Sequence, residues 1–240
     1  MSVTIVDLGH FAHVNQRSMP LAERLAQVQH DLADYPPPRL TAVSKQVPAE
    51  ELRRAHALGL RHFGENYLQE ALRKQAALND LNDIVWHFIG RIQRNKTKNI
   101  ARYFTWVEGV DHLLIAERLN TARAGMPPLN VLIEVAISGE ARKGGCLPEQ
   151  VPELALAISR LPHLRLRGLM ALVSPDRQQA NTDFRRMAVL FSTLQHTLPH
   201  PAIDTLSMGT SADYLQALEH GATEIRLGTL LFGHRTRESL

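Results

Sequence analysis

Residues 203–233 read IDTLSMGTSADYLQALEHGATEIRLGTLLFG, and the order of residue types along this stretch sets the architecture. IDTLSM (203–208) and EIRL (224–227) are short, β-prone, largely apolar runs. Between them YLQALEH has helical character, with Ser211 or Asp213 placed to cap its start and Gly221 to close its end. Strand, helix and strand in so few residues make one βαβ unit, the connection that parallel strands require. Each strand is followed at once by glycine and hydroxyl residues: Gly209, Thr210 and Ser211 after the first, Gly228 and Thr229 after the second. These segments are either plain turns and caps, or a set of close-approaching N–H and hydroxyl donors suited to a phosphate.

Working outward, the same alternation continues to the N-terminal side. Strand-like runs occur at LTAVS (40–44), RHF (61–63), VWHFI (85–89), FTWVEGV (104–110), NVLIEVAI (130–137) and LRGLMAL (166–172). Several are nearly continuous apolar runs, as strands of a helix-covered parallel sheet are. Amphipathic segments separate them. AEELRRAHAL follows Pro48 and stops at Gly59, and ENYLQEALRKQAAL carries opposite charges on its outer face. EQVPELALAISRL has Pro148 and Pro152 at its start, and RIQRNKTKNIAR (91–102) reads as a further helix.

Eight strands alternating with helices in 240 residues predict an α/β protein, a single (β/α)8 TIM-type barrel over residues 1–240. An open doubly wound sheet is the competing topology, but no G-x-G-x-x-G turn follows the first strand. Residues 1–39 form a helical lead-in, with PLAERLAQVQHDLADY (20–35) as an extra N-terminal helix.

Cys146 is the only cysteine, which excludes an internal disulfide and any C-x-x-C site. The twelve histidines form no H-E-x-x-H, so no metal is expected. The N-terminus lacks a signal-peptide pattern, and no apolar run reaches the roughly 18 residues of a membrane span. A cytoplasmic protein with no membrane partner is the expectation. The stretch 91–102 holds Arg91, Arg94, Lys96, Lys98 and Arg102 with no acid, yet it lacks interleaved aromatics. A solvated helix face suits it better than a nucleic-acid contact.

Ligands of such barrels bind where strands end. Lys45 follows the first strand, either as a surface amine or as a partly desolvated nucleophile able to form an imine. Arg226 within the eighth strand needs polar partners if buried. Asn66 after strand two, His87 in strand three and Asp111 after strand four could add polar groups to the same mouth, although for His87 taken alone a satisfied core histidine is the better reading.

AVSK (42–45), FGENYLQE (63–70), WHFIGRIQRNK (86–96), RLRGLMAL (165–172), SMGTSAD (207–213) and IRLGTLLFG (225–233), in this order, resemble the YggS/PROSC family of pyridoxal phosphate homeostasis proteins. The resemblance implies a fold-type III barrel akin to the N-terminal domain of alanine racemase. It implies pyridoxal 5′-phosphate (PLP) held as a Schiff base on Lys45, with phosphate contacts from Ser211, Gly228, Thr229 and Thr210. Arg226 would face the pyridine nitrogen, and Asn66 and His87 would line the pocket. Two positions depart from the family pattern: Arg91 replaces a proline, and Thr210 stands where methionine is common. Racemases of this type use a tyrosine from a C-terminal β domain of the partner subunit, whereas here twelve residues follow Gly228 (240 − 228). The resemblance therefore implies a monomeric PLP carrier in vitamin B6 and amino-acid homeostasis, with no catalytic residue and with PLP-dependent apo-enzymes as recipients. A PLP-dependent amino-acid racemase is the alternative.

Overall fold

The apolar runs become strands because both of their faces are buried, one against helices and one inside a barrel. The computed structural model describes residues 19–139, 144–198 and 203–233. Its strands are β1 (Arg39–Val43), β2 (His62–Glu65), β3 (Val85–Phe88), β4 (Trp106–Val110), β5 (Leu129–Glu134), β6 (Leu164–Met170), β7 (Thr205–Thr210) and β8 (Glu224–Leu227). Each pairs in parallel with the next, and β8 returns to β1 in the register Arg39↔Glu224 to Ala42↔Leu227, which closes the barrel.

The helices are α1 (Leu21–Asp31), α2 (Ala49–Ala57), α3 (Leu68–Ala77), α4 (Thr97–Tyr103), α5 (Leu113–Arg123), α6 (Val151–Ser159), α7 (Arg177–Thr197), α8 (Tyr214–Glu219) and α9 (Thr229–Phe232). α1 is the expected extra N-terminal helix, burying Leu21, Leu25 and Val28. The Tyr214 hydroxyl donates to Asp31 (2.6 Å), tying α8 to α1. The rest of the lead-in, residues 1–18, lies outside the described residues. No helix among the described residues is long and apolar enough to cross a membrane.

The core has two zones of different chemistry. Outside the barrel, residues such as Phe63, Ile100, Phe104, Leu119, Ile158 and Phe184 pack fully buried between strands and helices. Burial of this apolar layer stabilises the fold by roughly 25 cal/mol per Å². Inside the barrel, Trp106, Leu132 and Met170 form a small apolar cluster with Val85 packed against it. The remaining interior is polar, with Thr41, His87, Glu108, Ser207 and Glu224 at 0% exposure. Trp106 forms part of the floor, with the guanidinium groups of Arg39 and Arg167 4.1 and 4.7 Å from its ring.

Strand ends differ from the expected ones where glycine interrupts β-propensity without interrupting the strand. β2 runs on through Gly64, whose missing Cβ would lie 2.9 Å from Ile89 Cδ1. β7 likewise extends through Gly209. β4 starts two residues late because Phe104 still belongs to the C-cap of α4, and β5 stops at Glu134, after which Val135 bridges to Cys146. In the basic stretch the α-helix begins only at Thr97, preceded by a 3₁₀ turn at Arg94–Lys96, and Arg91, Arg94, Lys98 and Arg102 are exposed.

Candidate functional site

The carboxyl ends of the strands open onto a cavity of about 300 Å³. Its wall includes Lys45, Asn66, Thr210, Ser211, Arg226, Gly228 and Thr229, seven of the eight residues to which the resemblance assigns the cofactor; Asp111, also expected at the mouth, does not line it. Val43, Ile89, Met170 and Leu172 supply apolar surface between them. An apolar cavity with a few convergent polar groups is the usual form of a small-molecule site.

Strand alternation explains why these side chains converge. Thr41 bonds inside the barrel, and Val43 and Lys45 line the cavity, so this face of β1 and its continuation points inward. Arg226 is on the inward face of β8 and is 4% exposed. Its Nη1 donates to Ser207 Oγ (2.6 Å) and its Nη2 to the Ala171 carbonyl (2.8 Å). Ser207 Oγ in turn lies 2.9 Å from Glu108 Oε2 and 3.3 Å from Glu224 Oε1.

The loops after β7 and β8 are stitched together, in a way the expected capping does not describe. Neither Ser211 nor Asp213 caps α8 by its side chain. Asp213 Oδ1 accepts from the Thr210 N–H (2.6 Å) and hydroxyl (3.0 Å) instead, pinning the loop. Ser211 Oγ reaches across to accept the N–H groups of Gly228 (3.1 Å) and Leu230 (3.2 Å). Gly209 permits the crossing: its φ is +92°, and a Cβ there would lie 2.7 Å from Ala217 Cβ. Across the cavity mouth, Asn66 Oδ1 is buried with no hydrogen-bond partner. A buried acceptor left so is costly, and a ligand donor would relieve it.

His87 is not brought to the cavity. It sits on β3 inside the barrel at 0% exposure, stacked on Trp106 with centroids 5.3 Å apart. Its Nδ1 is 2.7 Å from Glu108 Oε1, and its Nε2 is 2.9 Å from His62 Nδ1. Burial pushes its pKa down to about 4, so it is a neutral core histidine at physiological pH. His62 is lowered to about 4, by burial and then by His87 and Arg39.

Other polar groups near the mouth and below it were not singled out from sequence. Glu224 is fully buried; burial and then Glu108 push its carboxyl up to about 7, against the pull of His87 and Arg39. Arg39 Nη1 lies 2.7 Å from it. His87, Glu108 and Glu224 bring ligand-type atoms within 4.8 Å of one another, but these atoms already bond each other and Ser207, Thr41 and Arg39. Glu134 ends β5, and burial followed by nearby Asp111 raises its carboxyl to about 7. A charged residue inside an otherwise apolar strand run, as in WVEGV and EIRL, is the signal that could have found Glu108 and Glu224.

Residues 20–236 match the family model for the alanine racemase N-terminal domain. A pyridoxal phosphate homeostasis protein of Pseudomonas aeruginosa is 55% identical over 199 residues, covering 82% of this chain and 84% of its own. The chain belongs to the pyridoxal phosphate homeostasis protein family. The Escherichia coli K12 member is 42% identical over 235 residues, which are 95% of this chain and 97% of the relative. Among solved structures, PipY of Synechococcus elongatus, determined with PLP bound, superposes with a TM-score of 0.82 at 36% identity, covering 89% of this chain and all of PipY. Alanine racemase of Clostridium difficile shares the fold, with a TM-score of 0.72 at 14% identity over 91% of this chain and 56% of the racemase.

Proposed function

We propose that this family member binds PLP in the barrel-mouth cavity, that Lys45 holds it as a Schiff base, and that the protein stores and delivers the cofactor. The observation that carries this reading is the convergence of an amine, an arginine and the linked β7 and β8 loops on one cavity. PLP offers an aldehyde for the amine, a ring nitrogen for the guanidinium and a phosphate for the hydroxyl and N–H donors. The unpartnered Asn66 Oδ1 in the same wall also fits a polar ligand with a donor to spare. PipY, solved with PLP, supports the choice of ligand.

Bound PLP supplies an electrophilic aldehyde and an electron-withdrawing ring. The protein decides how far that ring is used. Arg226 is anchored by Ser207 and the Ala171 carbonyl, so its fixed positive charge would disfavour protonation of a ring nitrogen placed beside it. Ser211, Gly228 and Thr229 would hold the phosphate end, while the N–H and hydroxyl of Thr210 are engaged by Asp213. Among the described residues no tyrosine lines the cavity: Tyr67 lies on a neighbouring groove and the Tyr214 hydroxyl is committed to Asp31. A site with one amine and, among the described residues, no tyrosine suits holding and exchange in the cytoplasm, in PLP and amino-acid homeostasis, with PLP-dependent apo-enzymes as recipients.

The test is spectroscopic. Protein mixed with PLP should develop a visible imine band, borohydride should fix the label on Lys45 by mass spectrometry, and Lys45→Ala should lose both. A full-strength band in Lys45→Ala would reject the anchoring assignment.

A further inference from the structure

Lys45 points into the cavity, but both of its neighbours are tied in the opposite direction to one ion cluster, Ser44 to the Lys74 ammonium and Gln46 to Glu70 beside it. Ser44, at 0% exposure, turns outward between the barrel and α3, where its Oγ donates to Glu65 Oε1 (2.6 Å). Its carbonyl accepts from Lys74 Nζ (2.6 Å). Lys74 is 6% exposed and also donates to Glu65 Oε1 (2.7 Å) and Glu70 Oε1 (2.5 Å). On the other side of Lys45, the Gln46 N–H donates to that same Glu70 oxygen (2.5 Å).

Gln46 is also the one non-glycine residue at positive φ among the described residues, at +59°. L-residues avoid this region, and it persists only where the surroundings over-determine it. Here the bond to Glu70 holds the strained residue immediately after Lys45. An ion cluster that merely joined β2 to α3 would have no need to grip the backbone on both sides of the cavity lysine.

We propose that Lys74, with Glu65 and Glu70, is a positioning group for Lys45: it fixes the backbone at Ser44 and Gln46, so that the Lys45 amine is presented to the cavity in one orientation. This rests on the reading of Lys45 as the PLP anchor. Imine formation joins the neutral Nζ to the aldehyde carbon and releases one water, and the proton shed by the ammonium goes to solvent. The rate depends on the approach of Nζ, because a displacement of about 1 Å can cost about 100-fold.

The experiment compares two ligands on the PLP-free protein. PLP reports imine formation through its visible band in stopped flow. Pyridoxamine 5′-phosphate has the ring and phosphate but no aldehyde, so its affinity reports the cavity alone. Ser44→Ala and Glu70→Ala, and Lys74→Met if it folds, should slow imine formation by about 10- to 100-fold. Pyridoxamine 5′-phosphate should bind them as it binds the wild type, and Ser44→Thr, which keeps a hydroxyl donor, should restore the rate. An unchanged imine rate in folded Ser44→Ala and Glu70→Ala overturns the proposal. So does a parallel loss of both ligands, which would reduce the cluster to a structural support. Failure of the anchor assignment itself is read separately, as a band surviving in Lys45→Ala with the cluster intact.

Discussion

Replacing Glu224 by glutamine should expose a pH dependence of stability that the wild-type barrel largely hides. Glu224 is fully buried and its carboxyl stands at about 7, against 4.5 for an ordinary glutamate. With the folded pKa raised, its stabilising contribution is full below about pH 4.5 and is lost as pH rises through about 7. At about 1.4 kcal/mol per pH unit, the swing is about 3 kcal/mol. His87 works in the other sense. Its pKa is lowered from 6.5 to about 4, so its contribution is present above 6.5 and is lost as pH falls toward 4. Between about pH 4.5 and 6.5 the two slopes oppose each other with similar size. His62 adds to the slope of His87, discounted because it is partly solvated. Glutamine keeps the shape of Glu224 but cannot titrate. Urea unfolding over this range should therefore show the stability advantage of wild type over Glu224→Gln shrinking by about 3 kcal/mol as pH rises from about 4.5 to about 7.5. A difference that stays flat, or grows with pH, would refute the assignment of a protonated carboxyl to this position.

Two further outcomes test the cavity. Thr229→Ala should weaken PLP retention on dialysis about tenfold without altering the fold, since a hydroxyl donor to a charged acceptor contributes roughly 1–3 kcal/mol; unchanged retention would remove Thr229 from the phosphate contacts. Incubation of the PLP-loaded protein with individual L-amino acids should yield no D-isomer above the protein-free control by chiral chromatography, and rapid racemisation would replace the carrier reading with an enzymatic one.

The barrel was legible because its signals are local: each strand is a short apolar run, and each helix carries its own start and stop residues. Lys45, Ser211 and Thr229 were legible because cavity residues of such barrels follow strand ends, and strand ends can be counted along the chain. His87 shows the limit of that rule, since it lies within β3 rather than after it and pairs across to Trp106 of β4. The interior network was not legible, because Ser207 and Glu108 meet from 99 residues apart and Arg39 and Glu224 from 185. Lys74 was disguised differently. In ENYLQEALRKQAAL it reads as the solvent-facing partner of Glu70, four residues away, and only the placement of Glu65 beneath α3 turns it inward.

Ser211 already occupies the N–H groups of Gly228 and Leu230. A phosphate bound at this seam as proposed would have to trade places with a hydroxyl oxygen to reach these two N–H groups. The gain from each such exchange is small, because a bond is lost for each one made. The same hydroxyl stands ready to take the donors back, which shortens the residence of the ligand more than it slows its arrival. If the protein hands PLP on as proposed, a grip with a built-in competitor would set the tempo of release.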